Sequence, residues 1–270
     1  MERADLDGVT LEYEVSGTGE PVVLIHGALV ADTYKAWMKD PALAGFRLIR
    51  YRRRGYAGSK GDATAPIAAQ AADCLALLRR LDAVPAHVVG HSSGGAIALQ
   101  VALEAPEAVR SLTLLEPALL DVPSGDALMQ GLAPVMEAYQ SGESAAAVDA
   151  FLRGVCGDGY RESMERVAPG GMAQAETDAA TFFEGEFVAL GEWAFTREDA
   201  ARIRQPVMAV LGAGSEALWP GWREGHERVL EWMPQAKPFV LAGAAHLLQV
   251  ERPREMAAAL AEFLHGVNGS

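Results

Sequence analysis

An α/β fold with a mostly parallel central sheet, helices on both faces and an inserted helical cap is what this 270-residue sequence predicts, on three observations. Short, nearly continuous apolar runs recur along the chain, and helical periodicity fills the intervals between them. The rhythm stops after Glu116 and resumes only near Pro206. Strands and helices that alternate in this way argue for parallel strands joined by right-handed crossovers. Length agrees, because at about 150 residues per domain the chain suits one large domain or a core carrying an insertion.

From Val9 to Val15 the pattern VTLEYEV alternates apolar and polar side chains, and SGTGEP after it supplies turn residues, so this stretch reads as the first strand of a hairpin. The runs in PVVLIHG, FRLIRY, AHVVGH and RSLTLLEP suit strands buried on both faces. Ile67, Ala71, Cys74, Leu75, Leu78 and Leu81 form the stripe of one helix, and GGAIALQVALEAPE forms a second that ends near Pro106. Beyond the interruption, QPVMAVLG reads as a strand, GWREGHERVLEWMP as a helix and KPFVLAG as the last strand. REMAAALAEFL then places Met256, Leu260, Phe263 and Leu264 on one helical face. Residues 1–116 and 203–270 are thus expected to form the core, and 117–202, with helix-like pieces, glycine breaks and no buried strand, the cap.

Half the residues are hydrophobic, 22% are charged and mean hydropathy is +0.07, which excludes disordered and collagen-like chains. The net charge of −13 lacks the basic excess that neutralising phosphates requires, so nucleic acid is not an expected partner. Residues 117–202 hold fifteen acidic and five basic residues, and therefore −10 of that −13; they read as a solvated acidic face. Cys74 and Cys156 lie far apart, with no zinc or disulfide spacing, and a reducing cytoplasm is expected. The N-terminus has no apolar segment of the export type, and PVVLIHGALVA is too short and Gly-interrupted to span a bilayer, so neither a signal nor a membrane anchor is expected.

Gly90-His91-Ser92-Ser93-Gly94 lies between the apolar strand AHVVG and the helical run GAIALQVAL. A G-x-S-x-G in that context is a nucleophile elbow, in which flanking glycines allow a sharp turn that projects the Ser92 hydroxyl into a cleft. The Ser93 N–H then sits at the positive end of a helix, where it can hold a developing oxyanion.

With VVLIHGA, YRRRGYAGS and GAAHLLQVERP in order around this elbow, the chain resembles the α/β-hydrolase superfamily, particularly its small serine esterase, lipase and cofactor-free haloperoxidase-like members. The resemblance implies the α/β-hydrolase fold, Ser92 as nucleophile, His246 as general base and the Ala28 N–H as a second oxyanion donor facing Ser93. Arg52 stands where an Asp is common and Ala57 where a Gly is common. The resemblance also makes His26 a brace between loops, His91 a packing residue, and Arg53, Arg54 and Ser59 structural.

The triad acid departs from the pattern. Relatives usually carry G-x-x-D after the strand equivalent to PVMAVL, and here Ser215 takes that place. Glu116, at the end of SLTLLEP, is the preferred acid, because neighbouring parallel strands lie about 4.8 Å apart and a carboxylate at one strand end can approach a histidine usually served from the next. Glu216 is the alternative. Met129, Met136, Tyr139, Phe182, Phe183, Phe187 and Trp193 are candidates for an apolar acyl pocket. The function so implied is hydrolysis of an uncharged ester or related acyl compound through a Ser92 acyl-enzyme, with a small apolar or neutral substrate and no metal or organic cofactor. A carbon–carbon bond hydrolase of ring-cleavage products and a non-enzymatic small-molecule receptor are the alternatives on the same residues.

Overall fold

The computed structural model describes residues 1–268. Its strands are β1 (Glu2–Leu6), β2 (Val9–Ser16), β3 (Glu20–Ile25), β4 (Phe46–Tyr51), β5 (Ala86–His91), β6 (Val109–Leu115), β7 (Val207–Gly212) and β8 (Ala236–Leu241). They form one sheet in the order β1-β2-β4-β3-β5-β6-β7-β8. β2 runs antiparallel to β1 and β4, and the other pairings are parallel.

The apolar runs are continuous because successive side chains enter two different cores. Val23, Ile25, Val88, Leu112, Leu114, Val207 and Ala209 pack on the face covered by α1 (Ile67–Arg80) and α2 (Ser93–Glu104). Val22, Leu24, Val89, Leu115, Met208 and Val210 pack on the opposite face with Tyr34, Trp37 and the C-terminal helix.

Val9–Ser16 is the second strand of its hairpin and not the first: it pairs with the preceding β1 through Leu6 and Val9, and then with β4, while β3 lies further inside the sheet. Only Ala4 of β1 is buried, so that edge strand leaves almost no hydrophobic pattern to read.

Between β6 and β7 the described residues form α3 (Gly125–Gly131), α4 (Ala133–Gln140), α5 (Ser144–Cys156), α6 (Tyr160–Val167), α7 (Gly171–Thr177), a π-helical turn (Thr181–Glu186), α8 (Phe187–Glu192) and α9 (Arg197–Arg202). This segment is tied to the loop after β4: the Ala57 N–H donates to Asp178 Oδ2 at 2.9 Å, and the Thr181 hydroxyl donates to the Gly55 carbonyl at 2.8 Å. After β7 come α10 (Gly221–Trp232), α11 (Leu248–Glu251) and α12 (Pro253–Asn268). Met256, Leu260, Phe263 and Leu264 are all buried, as the helical face requires.

His26, His87, His91, His226 and His246 are buried, and burial lowers the pKa of each, His91 and His246 to about 3 and His26 well below its usual range. An unfolded histidine takes up a proton near pH 6.5 that these do not, so stability is lost as pH falls below that value. A histidine held at about 3 costs on the order of 1 kcal/mol at pH 5.5. Burial raises Glu116 to about 7, which acts in the opposite sense and offsets part of that loss. The smaller shifts pull against each other, His87 and His226 downward and Asp178 and Glu251 upward. Urea titrations should therefore give a lower unfolding free energy at pH 5.5 than at pH 7.5. Equal or greater stability at pH 5.5 would contradict neutral burial of these rings.

Candidate active site

β5 ends at His91 and α2 begins at Ser93, leaving Ser92 at φ 54° and ψ −122°, a strained backbone for an L-residue. Three backbone hydrogen bonds hold it there. The Ser92 N–H donates to the Leu115 carbonyl at 3.0 Å, and the Ser92 carbonyl accepts from Gly95 at 2.8 Å and Ala118 at 2.9 Å. The flanking glycines are required by close approach. A Cβ on Gly90 would stand 2.3 Å from the Gly94 carbonyl oxygen, and one on Gly94 would stand 2.3 Å from that of Ile25.

Glu116 follows β6 with φ 45° and is buried. Its Oε2 lies 2.6 Å from His246 Nδ1, and its Oε1 accepts the Gly212 N–H at 2.6 Å. Glu216 is not brought to the histidine; it is exposed and pairs with Arg223 at 2.5 Å. Ser215, where relatives carry the acid, is fully buried beside Glu116. Burial pushes the Glu116 carboxyl up to about 7, with the Gly212 amide pulling it back, and pushes His246 down to about 3. The imidazole is therefore neutral at pH 7. With its Nδ1–H directed at Glu116, Nε2 is left as the proton acceptor.

The His246 loop is fixed from several sides. The Ala245 N–H donates to Glu251 Oε2 at 2.5 Å, and Trp222 stacks on the His246 ring at 3.7 Å between centroids and 15° between planes. His91, expected only to pack, donates from Nε2 to the His246 carbonyl at 2.7 Å. Trp222 was not among the residues singled out in the sequence, and nothing in its helix marks it.

Ala28, Ser92, Ser93 and His246 line one cavity. Among the described residues no protein acceptor takes the Ala28 or the Ser93 N–H. His26 is a brace: its Nε2 accepts from the Arg53 N–H at 3.0 Å, and its Nδ1 donates to the Gly27 carbonyl at 2.7 Å. In the loop after β4, Arg52 pairs with Asp32 and Glu12, Arg54 pairs with Asp73, and the Ser59 hydroxyl bonds the Arg52 carbonyl. Ala57 adopts φ 50°, the conformation that makes glycine common there. Arg53 is buried in an ion pair with Glu186 of the π-helical turn at 2.8 Å.

The cavity, about 700 Å³ including space open to solvent, has no Asp, Glu, Lys or Arg among its lining residues. Of the pocket residues expected from the sequence, Phe182 and Phe187 line it, whereas Met136, Tyr139, Phe183 and Trp193 do not, and Met129 is exposed. Phe151, Met164, Trp219 and Trp222 line it without having been marked in the sequence. Cys156 is part of the wall, with its thiol raised by burial, and Cys74 is buried in α1. Among the described residues no group of His, Cys, Asp and Glu could hold a metal ion, and no helix is long and apolar enough to cross a membrane.

A family model described as the alpha/beta hydrolase family matches residues 22–259. The chain is 30% identical, over 97% of its length and 69% of the relative's, to the dihydrolipoyllysine-residue acetyltransferase component of the acetoin cleaving system of Pseudomonas putida. Among solved structures it is similar to a hydrolase from Pseudomonas aeruginosa PA01, with a TM-score of 0.76, 26% identity and 97% of each chain covered. A thermophilic esterase from Thermogutta terrifontis shares the fold, with a TM-score of 0.80, 21% identity and 99% of each chain covered.

The elbow packing yields a stability contrast. Gly94→Ala should lower the thermal midpoint by several degrees, on the order of 3 kcal/mol, because the new methyl collides with backbone and not with a movable side chain. Gly131→Ala, at an exposed helical position with open space around it, should be neutral or stabilise by up to about 1 kcal/mol. Calorimetry on both variants checks this, and an unchanged midpoint for Gly94→Ala would contradict the close approach at the elbow.

Proposed function

Because the chain belongs to the alpha/beta hydrolase family, we propose that it is a serine hydrolase that cleaves an uncharged ester or related acyl compound through a Ser92 acyl-enzyme. The observation that carries this reading is the buried Glu116–His246 hydrogen bond at the wall of a charge-free cavity that also holds Ser92. Ser92 Oγ attacks the acyl carbonyl as its proton passes to His246 Nε2. The Ala28 and Ser93 N–H groups take the oxyanion, and Glu116 stabilises the imidazolium that forms. His246 then protonates the departing alkoxide. In the second half, water gives its proton to His246, attacks the acyl carbon, and releases Ser92 with the carboxylic acid.

The cavity favours a neutral substrate by desolvation. An anion placed against Phe182, Phe187, Leu128 and Trp219 would lose its hydration with no lining cation to replace it. The anionic ring-cleavage products of a carbon–carbon hydrolase are accordingly poor occupants. Residues 117–202 supply much of the wall and act as the cap over a core of 1–116 and 203–270.

Turnover of a short p-nitrophenyl ester tests the reading. Ser92→Ala should abolish both turnover and fluorophosphonate labelling, whereas labelling that persists at another serine would overturn the nucleophile. Glu116→Gln should lower kcat by roughly 10²-fold to 10⁴-fold, because an amide cannot stabilise the imidazolium, while Glu216→Gln stays near wild type. The reverse pattern would move the acid to the loop after β7. A folded protein that binds such esters and never turns them over would favour the receptor reading.

A further inference from the structure

We propose that Arg53 is a positioning residue for the Ala28 amide, held by Glu186 of the helical segment, so that seating of this segment on the core completes the oxyanion site. The inference rests on the acyl-transfer reading, since it concerns the amide that would receive the oxyanion.

Three consecutive arginines follow Tyr51, and their environments differ. Arg52 and Arg54 keep partial access to solvent and pair with carboxylates there, while Arg53 and Glu186 are each 1% exposed. A buried ion pair contributes little net stability, because removing two charges from water offsets most of their attraction. The geometry of this one has a more specific consequence. Arg53 Nη2 donates to Glu186 Oε1 at 2.8 Å and to the Gly27 carbonyl at 2.9 Å, and Nη1 donates to Gln70 Oε1 at 2.8 Å.

The Gly27 carbonyl is the other end of the peptide unit that carries the Ala28 N–H. It accepts two hydrogen bonds, one from the Arg53 guanidinium and one from His26 Nδ1. His26 is itself oriented by the Arg53 backbone N–H. Arg53 therefore governs both donors. A peptide is planar, so fixing its oxygen fixes the direction of its N–H. Hydrogen bonds to the oxygen also polarise the unit and strengthen the N–H as a donor in a low-dielectric interior.

Glu186 closes the π-helical turn and accepts a second bond from the Tyr56 hydroxyl. Phe182 in that turn and Phe187 directly after it line the cavity. A substrate packed against these rings bears on the element that holds Arg53, which links occupancy of the acyl pocket to the aim of the Ala28 amide.

The test uses Arg53→Lys, whose compact head cannot span Gly27, Gln70 and Glu186 together, and Glu186→Gln, which keeps the shape and removes the charge. Each is assayed with an ester and its matched thionoester, because sulfur accepts hydrogen bonds poorly and reports on the oxyanion donors. Both variants should lose about 10-fold to 100-fold in kcat with KM changed less than threefold, and the ester-to-thionoester ratio of kcat should fall by about the same factor. The Ala28 amide resonance in a ¹H–¹⁵N spectrum should move upfield in the proton dimension. Folded variants with wild-type kcat, ratio and Ala28 resonance would overturn the proposal; should Arg53→Lys fail to fold, Glu186→Gln alone decides. Retained turnover in Ser92→Ala would instead defeat the acyl-transfer reading, and the Ala28 resonance would still judge the positioning role.

Discussion

The 2.6 Å contact between Glu116 and His246 constrains more of this molecule than its own two residues. Glu116 reaches the ring only because the chain leaves β6 in a left-handed conformation, and the same exit stretch holds the elbow. The Leu115 carbonyl receives the Ser92 N–H, and the Ala118 N–H reaches the Ser92 carbonyl. A run of four residues, 115–118, thus fixes the carboxylate and the backbone of the serine in one frame, and the strained φ of Ser92 is kept by bonds on both of its sides. The histidine is brought to that frame by Trp222, His91 and Glu251, each acting on a different part of its loop.

Burial sets the electrostatics of the site. Desolvation by burial disfavours the imidazolium and keeps His246 neutral. The carboxylate beside it is costly for the same reason, and the hydrogen bond from the Gly212 amide offsets part of this cost. Ser215, at the position where the resemblance places the acid, is fully buried, and the carboxylate arrives instead from the neighbouring strand end. The net charge of −13 has no counterpart in the cavity, whose lining residues carry no acidic or basic group, so the acidic character belongs to other parts of the molecule.

The parts of this arrangement that are local in sequence were legible there. Ser92 stands between an apolar strand and a helix, His246 follows the last strand by a short Gly/Ala loop, and Glu116 closes a strand one position away in the sheet from the usual acid. The Arg53–Glu186 pair was not legible, because 133 positions separate its members and the burial that gives it meaning is created only when the helical segment meets the core. Trp222 was hidden for a similar reason, since one aromatic residue in an amphipathic helix carries no sign of the ring it will stack on. Pocket residues were hardest to assign. Phe182 and Phe183 are adjacent in sequence and both buried, yet only the first lines the cavity, a distinction that depends on helix rotation and not on residue type. β1 escaped notice because an edge strand with a single buried residue has no pattern to show.

A covalent bond between Ser92 and the acyl group is the central step of the proposed reaction. Rapid acid quenching during turnover of a p-nitrophenyl ester, followed by intact-mass and peptide mass spectrometry, measures that bond. The predicted result is a fraction of protein heavier by one acyl group, carried on the peptide that contains Ser92, formed in a burst stoichiometric with enzyme and absent from Ser92→Ala. Ester turnover by a protein whose Ser92 peptide stays unmodified, or an acyl group found on another residue, would contradict it.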